Sequence, residues 1–313
     1  MKKAFKLELI IWCIILLFVL ISCKNKTTVD TAIVEPLNVD LKETALVQRT
    51  LSSEFKNYWY QGKAEISSFK LEQARYGEIR EGEAVMVFVT ESFLKDKQVK
   101  ADGAHPTNEP VLKLNSTKNF NTGIYPYSIM ESTFYPLKTN KHALKISCSV
   151  QEWCGQVYTQ LNNRDTFEVA LHSYFESEGD KQFELEKTHL ENEIWTALRI
   201  DPKSLPTGEL LMIPNISYSR LKHIDIKSYQ AIASLNNNSY TIQYPELNRT
   251  LSIEFSTEAP FHILGWEETF ISGFGASAQE LTTKATLIKR INSDYWNKNH
   301  NSDLHLRNEL QLN

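Results

Sequence analysis

From Leu144 to Phe175 the apolar residues fall on every second position: Leu144, Ile146, Cys148 and Val150, then Val157, Thr159 and Leu161, then Phe167, Val169, Leu171 and Phe175. Side chains alternate faces along a strand, so this spacing buries one face of an antiparallel sheet and excludes a helix over the same residues. Asn162-Asn163-Arg164-Asp165 interrupts the pattern with residues that tolerate the left-handed turn conformation, and reads as a hairpin. Keeping both flanking apolar sets on one face requires paired numbers with an even sum. Leu161 opposite Phe167 and Val157 opposite Leu171 satisfy that condition.

In this register Tyr174 faces Cys154 and His172 faces Gln156, making Cys154 and His172 diagonal neighbours with Cα atoms about 7 to 8 Å apart. Glu176 follows two positions beyond Tyr174. A thiol, an imidazole and a carboxylate on one face are the nucleophile, base and orienter of a cysteine hydrolase. Only Gly155 stands where an oxyanion turn or glycine-rich helix start would be. The same residues therefore also read as a small buried cysteine beside a histidine bonded to a neighbouring strand.

The rest of the chain repeats the β pattern. Ala64 to Arg75 turns at Tyr76-Gly77 into a strand whose apolar run, Ala84 to Val89, reads as covered on both sides. Gly123 to Leu137 is aromatic-rich, with Pro126 and Pro136 marking an edge or strand ends. Further strands are predicted over Lys222–Leu235, Tyr240–Tyr244, Leu251–Phe255, Phe261–Glu268 and Gln279–Ile291. Helices are predicted over Glu43–Tyr60, from Val47, Leu51, Phe55 and Tyr58, and over Leu190–Ile200; Pro202–Pro214 is a loop. The expected fold is mainly β, a large curved antiparallel sheet or open barrel with two or so helices.

At the N-terminus Lys2, Lys3 and Lys6 precede the apolar run Leu9–Ile21, which has the length of a secretory signal and is too short for a membrane span. Leu20-Ile21-Ser22-Cys23 resembles the lipobox of bacterial lipoproteins, which implies cleavage before Cys23 and lipid on it. The expected organisation is a signal over residues 1–22, a lipidated tether over 23–42, one mainly-β domain over 43–296 and a polar tail over 297–313. Lys24-Asn25-Lys26 lacks the acidic cluster linked to surface display in Bacteroidota lipoproteins. The expected place is thus the periplasmic face of the outer membrane, with the membrane as a partner through lipid on Cys23.

Loss of the signal removes three cations and Glu8, moving the formal charge from −4 to −6. No basic stripe is present, so nucleic acid is not an expected partner. Cys148 and Cys154 are expected to be free thiols, because a straight strand between them separates them by roughly 20 Å. The eight histidines show no pairing at i, i+2 or i, i+4, so no metal site is expected. No phosphate-binding loop, dinucleotide fingerprint or Gly-x-Ser-x-Gly occurs, so no cofactor is expected.

Aromatic residues supply the other candidates. Trp153, Tyr174, Tyr125, Tyr127 and Trp266 are the expected ligand-binding set, on a concave face that takes a hydrophobic or lipid-like molecule, or an envelope protein. Glu267-Glu268, and the run Glu184, Glu186, Glu191 and Glu193, read either as a carboxylate pair for glycoside hydrolysis or as a solvated strand end and helix start.

Tyr58-Trp59-Tyr60, Gly123-Ile124-Tyr125-Pro126-Tyr127, Gln151-Glu152-Trp153-Cys154-Gly155 and Trp266-Glu267-Glu268 together resemble a group of Bacteroidota lipoproteins that often carry the automatic name "septum formation inhibitor Maf". True Maf proteins are cytoplasmic nucleotide pyrophosphatases with a Ser-x-Ser-Pro-Arg-Arg loop, which this chain lacks, so their activity is not carried over. In outline the chain is also similar to lipoprotein-sorting and lipid-carrier half-barrels, which implies an apolar pocket. The leading expectation is a non-enzymatic envelope lipoprotein that binds such a ligand or partner. The alternatives are a hydrolase using Cys154, His172 and Glu176, and a structural envelope component.

Overall fold

The structure, a computed structural model, describes residues 48–139 and 141–312. The signal, Cys23, the tether and the start of the first predicted helix lie outside the described residues. Sixteen strands form one open, curved sheet. In spatial order it runs β10 (His189–Leu190), β11 (Gly208–Ile213), β12 (Tyr229–Leu235), β13 (Ser239–Tyr244), β14 (Arg249–Phe255), β15 (Ile263–Ser272) and β16 (Gln279–Ser293). It continues through β1 (Ala64–Arg75), β2 (Glu78–Leu94), β4 (Glu109–Thr122), β5 (Tyr125–Pro136), β6 (Lys145–Glu152), β7 (Gly155–Asn163), β8 (Phe167–Ser173) and β9 (Lys181–Leu185), with the short β3 (Val99–Lys100) beside β2. Among the described residues only β10 and β11 pair in parallel. The two ends of the sheet, β9 and β10, are consecutive in the chain, so the seam of the open barrel is crossed by residues 186–188.

Local chemistry explains the turns. Tyr76 and Gly77 both have positive φ, 56° and 76°, the geometry of a tight hairpin whose twist matches its strands. Gly77 is required twice over, because a Cβ there would lie 2.5 Å from the Ser277 carbonyl oxygen. The Asn-rich hairpin is also present, but β7 and β8 pair as Leu161 with Val169 and Thr159 with Leu171. This register keeps the expected buried face and differs from the expected one by two residues, because β7 runs on through Asn163 opposite Phe167. Pro126 and Pro136 mark strand ends within a central strand rather than an edge.

Several expectations are corrected. The first helix, α1 (Ser53–Trp59), starts where the Ser52 hydroxyl accepts the Phe55 N–H at 3.1 Å, so residues 48–51 are not helical. Residues 208–213, expected as loop, are β11, and residues 216–222 form α3 (Ile216–Lys222), capped by Asn215, in a stretch given no element except for Lys222, expected to start a strand. In β2 the run Ala84–Val89 is not covered on both sides, since Val85 and Val87 are half-exposed. The C-terminal tail carries α4 (His305–Glu309) and buries Leu310.

The second predicted helix is α2 (Glu191–Leu198), and all eight of its residues are buried. It touches β5 through Glu131, β13 through Tyr244, β14 through Arg249 and β15 through Trp266, while Arg199 at its end reaches β1 through Glu65. These strands lie on both arms of the sheet, so α2 fills the hollow. At its N-terminus Arg249 bonds Glu191 with both terminal nitrogens and donates its Nε–H to Glu268 at 2.7 Å. At its C-terminus Arg199 donates to both Glu65 oxygens, at 2.6 and 2.8 Å, and Glu65 also accepts from Tyr58 and His262. Glu191, Glu193 and Glu268 are therefore interior, where a solvated helix start and strand end were expected.

Burial alone would push the Glu65 carboxyl up, but Arg199 and the His262 and Tyr58 hydrogen bonds outweigh it and hold the group well below the usual carboxylate range. A carboxyl depressed in this way contributes its full stabilisation above its unfolded pKa of about 4 and loses it as pH falls towards the folded pKa. In urea unfolding, Arg199→Met is expected to cost about 3 to 5 kcal/mol at pH 7, since it strands a buried carboxylate. Stability of the wild type is expected to fall more steeply below about pH 4 than that of Glu65→Gln, which has no such carboxyl to protonate.

Candidate functional site

Antiparallel pairing brings to one end of the sheet, beside residues 214–228 and 245–248, the connections 76–77, 123–124, 153–154, 174–180 and 273–278. Their tips are apolar and exposed, Ile124 at 85%, Tyr174 at 74%, Trp153 at 69% and Phe274 at 59%. Behind them runs a chain of rings. Phe274 lies 6.4 Å from Tyr76, the Tyr76 and Tyr127 hydroxyls are 2.9 Å apart, Tyr127 stacks on Phe120 at 5.0 Å, and Tyr125 lies between Tyr127 and Trp153.

A cleft of about 40 Å³ opens inside this rim, walled by Gln73, Arg75, Lys118, Tyr218, Lys222 and Trp266 among others. That volume holds a water molecule or so, far less than an acyl chain needs. No acyl-sized apolar pocket opens at this mouth, because α2 occupies the space beneath the cleft. Trp195 of α2 meets Trp266 edge to face at 5.4 Å.

The charges on the cleft wall are unbalanced. Its six ionic side chains are Arg75, Lys118, Lys222 and Arg249 against Glu191 and Glu268, and Arg249 engages both carboxylates. Arg75 is buried on β1, yet it donates only to the Leu221 carbonyl at 2.6 Å and to the Tyr76 and Tyr127 hydroxyls, with no carboxylate in salt-bridge range among the described residues. Its Nε and the Gln73 Oε1 have no hydrogen-bond partner. Burial, with Arg75 beside it, pulls the Lys222 ammonium down, and Lys118 has only a distant ring contact, 6.0 Å from Trp266. Desolvated cations without counter-charge make this an anion-attracting site.

The five aromatic candidates from the sequence fall into this region. Tyr125, Tyr127 and Trp153 are contiguous in the rim, Tyr174 is an exposed tip at the same end, and Trp266 lies deep on the cleft wall. The sequence reading missed the cations, although parity carried the signal: Arg75 follows Phe69, Leu71 and Gln73 at every second position, on the interior face.

The hydrolase candidates are not assembled. Cys154 occupies the exposed β6–β7 turn, where Glu152 accepts its backbone N–H at 2.7 Å. His172 stands opposite Tyr158, not Gln156, and faces Asp180 at 3.7 Å; Glu176 is exposed in the following loop. The Glu152 carboxylate raises the Cys154 thiol pKa, the reverse of what a nucleophile needs. Cys148 is buried on β6, and both cysteines are free.

No protein-family model matches the chain, and no curated protein matches it. Among solved structures the chain is similar to a beta-barrel-like protein of domain of unknown function DUF1849 from Brucella abortus, with 8% sequence identity and a TM-score of 0.42, covering 78% of this chain and 99% of that one. The resemblance to Bacteroidota lipoproteins rests on the residues quoted for it alone.

Iodoacetamide is expected to label Cys154 at pH 7.5 more slowly than a free cysteine, and Glu152→Gln to speed it, because removing the carboxylate restores thiolate at that pH. Cys148 is expected to stay unlabelled until the chain unfolds, which peptide mapping of the alkylated protein reads directly.

Proposed function

We propose that the protein is an exported lipoprotein, anchored by lipid on Cys23 at the periplasmic face of the outer membrane, whose barrel mouth binds an anionic amphiphile. The headgroup is held by Arg75, Lys118 and Lys222, and the apolar part lies across Tyr76, Tyr125, Trp153 and Phe274 rather than inside the barrel. The observation that carries the reading is Arg75, a buried guanidinium with no carboxylate partner, set directly behind an exposed aromatic rim. A buried cation without counter-charge is costly unless an anion arrives, and aromatic rings suit a ligand that is apolar at one end and polar at the other. The filled interior supports a surface-held ligand over an engulfed one. Export and anchoring are supported by the basic start, the short apolar run and Leu20-Ile21-Ser22-Cys23.

The test uses the purified full chain and dodecyl phosphate below its micelle concentration, read by tryptophan fluorescence. Dodecyl phosphate is expected to bind and dodecanol not. Arg75→Met is expected to weaken binding by roughly tenfold to a hundredfold, the worth of a charge-assisted hydrogen bond. Equal binding of the alcohol, or binding unaffected by Arg75→Met, sinks the reading. For the anchor, Cys23→Ala is expected to abolish incorporation of a labelled fatty acid and move the protein into the soluble envelope fraction.

A further inference from the structure

We propose that His142, His189 and Glu193 form a binding site for a divalent cation of the zinc class, at the seam of the barrel. One ligand atom from each residue lies within 4.8 Å of the others. They come from the loop before β6, strand β10 and the first turn of α2, which follows β10 directly. His189 and Glu193 are four residues apart in the chain, but His142 is distant from both, so sequence spacing alone does not bring the three together. They lie at the start of β6, the opposite end of that strand from the aromatic mouth, so the inference stands independently of the proposed ligand.

The geometry is that of a site held ready. Glu193 is fixed by the Ala143 N–H at 2.7 Å and the Leu190 N–H at 3.2 Å, and it accepts from His142 Nδ1 at 2.9 Å. His189 meets His142 edge to face at 5.8 Å, and neither of its ring nitrogens has a hydrogen-bond partner among the described residues.

Ligand atoms of a tetrahedral zinc site lie about 3.3 Å apart, so side-chain rotation alone closes this set around an ion. Two imidazoles and one carboxylate select zinc-class metals over calcium or magnesium, which prefer all-oxygen shells. The fourth position is left to water, and the ion ties the loop before β6 to β10 and to the helix that fills the barrel.

The test is zinc titration of the purified full chain by calorimetry at pH 7.5, repeated with His142→Gln, His189→Gln and the double variant; Glu193 is kept because it also caps α2. One equivalent is expected to bind the wild type, with thermal unfolding raised by zinc and restored by chelator. Loss of an outer-shell partner already weakens metal sites by about tenfold to a hundredfold, and loss of a ligand is expected to do at least as much in each single variant. Binding of the same strength in the double variant, or no stoichiometric binding, overturns the proposal. Cobalt absorption on the wild type gives a readout that does not depend on the variants folding: four-coordinate bands at one equivalent support the site, and a six-coordinate spectrum rejects it.

Discussion

The structure depends on two buried arginine–carboxylate clamps. Arg249 with Glu191 and Glu268, and Arg199 with Glu65, grip the two ends of a helix that is buried along its length. A sheet of this many strands encloses more space than its own side chains fill, and a helix can occupy that space only if its terminal polar groups find partners there. Isolated charges in such an interior would cost far more than the fold is worth. Paired in forked geometry, with Tyr244, Tyr58 and His262 taking up remaining hydrogen bonds, they are tolerated and fix the helix in one orientation.

From that arrangement follows where a ligand can go. With α2 and its Trp195 packed against Trp266, the hollow is reduced to a cleft of about 40 Å³ at one end. Glu131 extends the same logic: it accepts from Asn192 of α2 and from Ser217, and so seats α3 beside the mouth, where Arg75 donates to the Leu221 carbonyl. The helix that blocks the barrel thereby helps to build the cationic wall of its entrance. With the hollow filled, the exposed rings of the rim are the part of the molecule left facing outward.

Much of this was legible in the chain, and the losses have physical causes. Alternation identified the strands and the buried face, since one misplaced residue would turn a whole apolar set into water. It could not distinguish registers two residues apart, which bury the same face. The difference between Phe167 pairing with Leu161 and with Asn163 dismantles the thiol–imidazole pair. Helix α3 was lost because seven residues carry too little periodicity to announce themselves, even with Asn215 as a cap and His223 in the left-handed conformation. Tyr125, Tyr127 and Trp153 lie together because ring-bearing residues beside turns gather wherever hairpin ends gather.

The interior charges are the instructive failure. Glu65, Arg75, Lys118 and Arg249 were passed over because charged residues normally face water, and Glu268 was read as a catalytic carboxylate or a solvated strand end. Yet each sits on the apolar parity of its own strand: Glu65 with Ser67 and Phe69, Arg249 with Leu251 and Ile253, Glu268 with Trp266 and Phe270, Lys118 with Leu114 and Phe120. In a half-solvated sheet a charge on the buried face is a defect, so several of them, of both signs, on distant strands imply mutual pairing inside. Counting them by sign shows where charge is left over. Carboxylates and guanidiniums cancel around α2, and the cations left over, Arg75, Lys118 and Lys222, line the cleft that opens behind the aromatic rim.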